Sequence, residues 1–141
     1  MSRFLLERKL ISWGFEVITT EDGEAACALL EGPEPPSIAV LDWEMPRLNG
    51  LEACRRLRSR PNAPYVYLVL LSARNQKDEI AEGLEAGFDD YVMKPFDPDE
   101  LRARLRVGQR VVALERALAK QTGELERALA ENQKLKALLP R

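Results

Sequence analysis

Three short apolar runs punctuate the chain, and each stops at a polar residue. Ile38-Ala39-Val40-Leu41 ends at Asp42, Tyr65-Val66-Tyr67-Leu68-Val69-Leu70-Leu71 ends at Ser72, and Tyr91-Val92-Met93 ends at Lys94. Continuous runs of this length predict strands covered on both faces. Between them lie Ala-, Leu- and Glu-rich stretches that predict helices from about Leu51 to Arg58 and from about Gln76 to Ala86, the second closed by Gly87. Upstream, Phe4, Leu5, Arg8, Leu10, Ile11 and Trp13 cluster at helical spacing before Gly14, a C-terminal cap. Phe15-Glu16-Val17-Ile18-Thr19 alternates and predicts a further strand, after which Asp22-Gly23 turns into a helix ending near Gly32. Pro33, Pro35 and Pro36 form a stiff connector, Pro61 and Pro64 break the chain again, and Asp97 with Glu100 resembles a capping box that opens a long helix. Strands alternating with helices imply right-handed crossovers and an α/β, doubly wound parallel sheet. Ligands of such sheets lie beyond the carboxyl ends of the strands, where Asp42, Ser72 and Lys94 all fall.

From about Val107 the pattern changes. Proline is absent until Pro140, and apolar residues recur at heptad spacing. Val111, Leu118, Leu125, Asn132 and Leu139 take the a positions, and Leu114, Gln121, Ala128 and Leu135 the d positions. Asn132 is the polar insertion that favours two strands in register, and Glu131 can meet Lys136 of a partner. Gly123 falls on the solvent side and weakens the helix without interrupting the seam. The expectation is a parallel homodimeric coiled coil over residues 107–141, following a globular domain over residues 1–106, with a solitary helix folded back on the domain as the alternative.

A chain of 141 residues with 45% hydrophobic content suits one domain plus an extension. Basic and acidic side chains number 21 and 23, with no basic stripe interleaved with aromatics, so no direct nucleic-acid binding is expected. No His occurs, which removes His-based triads and ligands. Cys27 and Cys54 lack the paired spacing of a disulfide or zinc framework and read as buried thiols. Early charges argue against a signal peptide, and no run reaches membrane-spanning length, so a cytoplasmic protein without a membrane partner is expected.

A carboxylate can attack a phosphoryl group to form an acyl phosphate, but the attack gathers negative charge and needs a cation and donors at fixed positions. Lys94 offers the charge and Ser72 the hydroxyl. Val40-Leu41-Asp42-Trp43-Glu44-Met45-Pro46 with Asn49-Gly50, Leu70-Leu71-Ser72-Ala73, and Asp89-Asp90-Tyr91-Val92-Met93-Lys94-Pro95-Phe96 resemble the receiver domain of bacterial two-component response regulators. The resemblance, over Ser2 to about Val107, implies a flavodoxin-like fold phosphorylated on Asp42 by a histidine kinase. It implies that Lys94 contacts the phosphoryl group, that Ser72 and Tyr91 are the switch pair, and that the bond before Pro95 is cis. It further implies Mg2+ held by Asp42, by the main-chain carbonyl of Glu44 and through an acidic pair after the first strand. That pair has no counterpart here. Met1 to Leu6 matches the family's first helix, which would place the first strand and its acids upstream of residue 1. Asn49 stands where the family usually has Asp.

Nearby acids offer no good substitute. Glu21, Asp22 and Glu24 are expected to cap the next helix, and Asp89 and Asp90 lie at the far end of the last strand. Weak Mg2+ binding and poor phosphorylation are therefore expected. In the family order the first strand lies between those at Phe15 and Ile38, so its loss exposes two edges. A sheet rearranged within the chain or completed by another copy is the expected outcome. Overall the chain reads as a non-enzymatic signalling module that relays state through its C-terminal helix to an output domain. The alternative is a phosphorylation-independent dimerisation scaffold. A phosphatase reading has little support, because Asp42-Trp43-Glu44 lacks the Asp-x-Asp loop of those hydrolases.

Overall fold

The computed structural model describes residues 3–138. Its elements run α1 (Arg3–Ser12), α2 (Gly23–Leu30), β1 (Ile38–Asp42), α3 (Gly50–Arg58), β2 (Tyr67–Ser72), α4 (Lys77–Ala86), β3 (Asp90–Met93) and α5 (Pro98–Leu138). The three apolar runs form one parallel sheet in the order β1-β2-β3, with Asp42 opposite Leu71 and Ser72 opposite Met93. Every residue of β2 is buried, as a central strand covered on both faces requires. Its side chains alternate between two cores. Leu68 and Leu70 pack with Ala26 and Leu30 of α2 and Leu51 and Cys54 of α3. Tyr67, Val69 and Leu71 pack with Leu101, Leu105 and Val112 of α5 and with Leu6 and Leu10 of α1.

The helix boundaries follow local chemistry. Asp22 caps α2 by accepting the Ala25 N–H at 2.8 Å, Asn49 caps α3 through Glu52 at 2.9 Å, and Asp97 accepts the Glu100 N–H at 3.0 Å. Gly87, at φ 119, ends α4 in the left-handed region. Asp89 and Asp90 have structural work at the far edge of the sheet. Asp89 accepts the Leu68 N–H and pairs with Arg58, while Asp90 pairs with Arg104.

The expected strand over Phe15–Thr19 does not form. The segment is unassigned to any ladder, and among the described residues no backbone hydrogen bond joins it to β1. Alternation makes a segment extended; a strand also needs a neighbour at about 4.8 Å, and this one has none. Among the described residues the sheet has not rearranged within the chain either, because there β1 pairs only with β2. A cavity of about 850 Å³ runs along that free edge, lined among others by Val17, Thr19, Ala39, Leu41, Leu6 and Leu30. It lies in the plane of the sheet, with α1 on one face and α2 on the other.

Gly23 locks α2 against the loop that follows β1. Its N–H donates to the Pro46 carbonyl at 3.2 Å, and a Cβ placed on it would lie 1.9 Å from the Leu48 carbonyl oxygen. Backbone cannot yield as a side-chain tip can. Gly23→Ala is expected to cost about 3 kcal/mol, measured as a fall in the urea midpoint at constant slope.

Cys27 and Cys54 are free and buried. Burial pushes the Cys54 thiol up to about 11 and raises that of Cys27 as well. At pH 8 the native protein is expected to resist alkylation at both positions, and to label fully once urea unfolds it.

Candidate functional site

The parallel ladder extends past the strand ends and aligns the three polar residues. The Trp43 N–H donates to the Leu71 carbonyl at 3.3 Å, and the Lys94 N–H to the Ser72 carbonyl at 2.8 Å. Lys94 follows β3 directly and precedes Pro95 across a cis bond, and its ammonium pairs with Asp42 Oδ2. Asp42 Oδ1 accepts the Glu44 N–H at 3.0 Å, and the Asp42 side chain remains 35% exposed, open to solvent. Ser72 is buried, and its Oγ accepts the Arg74 N–H at 3.1 Å. Asp42, Ser72 and Lys94 therefore converge, as their positions after the apolar runs require. Tyr91, on β3, packs against the core shared with Leu70 and donates its hydroxyl to the Arg74 carbonyl at 2.7 Å.

Glycine permits the close approach beneath Asp42. The Gly50 N–H donates to the Trp43 carbonyl at 3.0 Å, and a Cβ there would stand 2.6 Å from the Asp42 carbonyl oxygen. Arg47, at φ 69, turns the intervening loop and pairs with Asp22 at 3.6 Å.

Arg74 has no place among the residues expected from sequence. Its guanidinium lies 4.3 Å from the Trp43 ring centroid, pairs with Glu44 and reaches Glu79 of α4 at 3.2 Å. One signal would have revealed it. Glu44 and Arg74 stand at equal offsets from Asp42 and Ser72, on loops that leave neighbouring parallel strands.

The residues present fit Mg2+ poorly. Asp42 supplies one carboxylate, but Lys94 and the Glu44 N–H occupy its two oxygens. Among the described residues no group of three or more Asp, Glu, Cys or His gathers where it could hold a metal ion. Mg2+ needs a near-octahedral set of oxygens. Glu24 pairs with Arg56 at 2.9 Å, and Asp22 is spent on its cap and on Arg47.

The family model for the response regulator receiver domain matches residues 1–106. The chain belongs to that family. A phosphate regulon transcriptional regulatory protein, PhoB, of Rhizobium meliloti is 42% identical over 102 residues, covering 72% of this chain and 44% of the relative. The probable transcriptional regulator ycf27 of Porphyra purpurea is 43% identical over 104 residues, covering 74% and 41%. This receiver chain thus spans less than half the length of the curated relatives it matches. Among solved structures, the receiver domain of Francisella response regulator 1452 superposes with a TM-score of 0.67 at 29% identity, covering 77% of this chain and 91% of that one. The receiver domain of sensor histidine kinase PA1611 from Pseudomonas aeruginosa, solved with a magnesium ion in its active-site cleft, gives 0.66 at 30%, covering 79% and 88%.

The receiver core continues into α5, 41 residues long and about 60 Å from end to end. Leu114, Leu118 and Leu125 of the expected seam are 71%, 59% and 62% exposed, while Asn132, Gln121 and Ala128 are exposed too. Val111 differs. It is partly covered by the core around Val69 and Leu105, so the seam begins inside the domain's own packing. Leu139 lies outside the described residues, as does the side chain of Leu135. Among the described residues no helix is long and apolar enough to cross a membrane.

Proposed function

We propose that the chain is the phosphoacceptor module of a cytoplasmic two-component system, relaying its state to an output through a homodimer formed along α5. The observation that supports this most is the convergence of the Asp42 carboxylate, the Lys94 ammonium and the buried Ser72 hydroxyl at one end of a parallel sheet. In the transfer, an Asp42 oxygen attacks the phosphorus of a kinase phosphohistidine. The P–N bond breaks, its electron pair returns to the imidazole nitrogen, and an acyl phosphate remains. Lys94 then balances the added negative charge as its partner oxygen is consumed. Ser72, free to donate while its Oγ accepts from Arg74, turns its proton to a phosphoryl oxygen. Tyr91 follows through the Arg74 carbonyl. The chain itself has no catalytic role beyond accepting and losing the group, and it makes no direct contact with nucleic acid.

Mg2+ bound at this site would offset phosphoryl charge. Asp42 and the Glu44 main-chain carbonyl would hold it, without an acidic pair. As the chain stands, Mg2+ added to a Trp13→Phe variant is expected to give no saturable change in Trp43 fluorescence at low millimolar concentration. Tight, saturable quenching by Mg2+ alone would contradict the reading.

The short donor set also favours a second reading, a scaffold that dimerises whatever the state of Asp42. Asp42→Asn separates the two. The switch loses its response to a phosphoryl mimic with α5 intact, whereas the scaffold keeps its behaviour and loses it only when residues from Val111 onward are removed.

A further inference from the structure

Arg74 gathers more of the site than any residue the receiver reading assigns. Its N–H is held by Ser72, its carbonyl by Tyr91, and its guanidinium by Glu44 and Glu79 over the face of Trp43. One residue therefore connects the loop after Asp42, the end of β2, the start of α4 and the ring on β3. The side-chain part of this arrangement is held lightly. Arg74 and Glu44 are 40% and 70% exposed, and ion pairs this wet contribute about 0–1 kcal/mol. An exposed carboxylate is a poor competitor for guanidinium against a phosphoryl group, which carries close to two charges and three acceptor oxygens.

We propose that Arg74 is a second phosphoryl-binding residue, which leaves Glu44 for the group on Asp42 and so supplies cationic charge that the metal-poor donor set lacks. The inference rests on Asp42 being the acceptor. Glu44 is bonded through its own N–H to Asp42 Oδ1, so the carboxylate that holds Arg74 and the atom that takes the phosphoryl group belong to one loop. The planar guanidinium already lies on the ring of the residue after Asp42. Exchange of partners needs a swing of the Arg74 side chain, with its backbone still tied to Ser72 and Tyr91. Movement at the acceptor thereby reaches both switch residues through one side chain and one peptide unit.

The test uses the full chain and beryllofluoride as the phosphoryl mimic, with affinity read by fluorine NMR and the Trp43 ring read by fluorescence in a Trp13→Phe background. Arg74→Ala is expected to weaken binding about tenfold, the scale of one charge-assisted contact at a half-exposed site. Glu44→Gln is expected to tighten it about threefold, because it releases Arg74 from its resting partner. Arg74→Lys is expected to keep most of the affinity and lose the Trp43 fluorescence change, since lysine retains the charge without the planar stack. A merely structural Arg74–Glu44 tie would shift affinity the same way in both variants. Opposite signs therefore support the proposal, while affinities within twofold of the parent in Arg74→Ala and Glu44→Gln overturn it. If those two are unchanged but Asp42→Asn abolishes binding, the acceptor reading stands and only the role of Arg74 falls. If Asp42→Asn binds as tightly as the parent, both fall.

Discussion

Asp42→Asn is expected to lower affinity for a phosphoryl mimic at least a hundredfold and to abolish any change in association that the mimic produces. The amide cannot form an acyl phosphate, and it removes the anion with which Lys94 is paired. Stability should barely move. Asp42 is about one-third exposed, and a pair in that setting is worth about 1 kcal/mol or less. Calorimetric titration of beryllofluoride, alongside urea unfolding of the same variant, checks both halves. Lost binding with unchanged unfolding marks a functional carboxylate. Lost binding with collapsed stability would instead mark a structural one.

The second large effect is expected on α5. Leu118 and Leu125 stand 59% and 62% exposed, seven residues apart, on a helix that leaves the receiver core after Val112. Each leucine buried against a partner returns about 1.5–3 kcal/mol, so four of them would dominate the stability of the proposed two-stranded seam. Leu118→Lys with Leu125→Lys should weaken self-association a hundredfold or more and give monomers by light scattering. Asp42 chemistry should be unaffected, because both positions lie well beyond the sheet. Leu114→Lys should add to the effect, whereas substitution of Val111 should also cost domain stability, because that side chain is shared with the core around Val69 and Leu105.

What could be read in advance follows the physics of each signal. The runs ending at Asp42, Ser72 and Lys94 are legible because a strand buried on both faces must be apolar throughout, and a polar residue marks where it leaves the sheet. Caps at Asp22 and Asp97 are legible because a cap is made within three residues. Phe15–Thr19 misled because alternation reports a backbone preference, whereas a strand exists only as one side of a ladder. The edge of β1 that would face it is unpaired. Arg74 is harder to read, for a different reason. Its partners Trp43, Glu44 and Tyr91 come from elements distant in sequence, and only the parallel register of β1 and β2 brings the loops together.

Asp42 is the proposed site of phosphoryl transfer. The most direct test is peptide mapping of the chain after incubation with a small-molecule phosphodonor and Mg2+, with borohydride trapping of the acyl phosphate. The expected result is a partial label confined to Asp42, lost in Asp42→Asn and raised in occupancy when a strand carrying an acidic pair is supplied ahead of α1. A label on any other residue, or one that persists undiminished in Asp42→Asn, would contradict it.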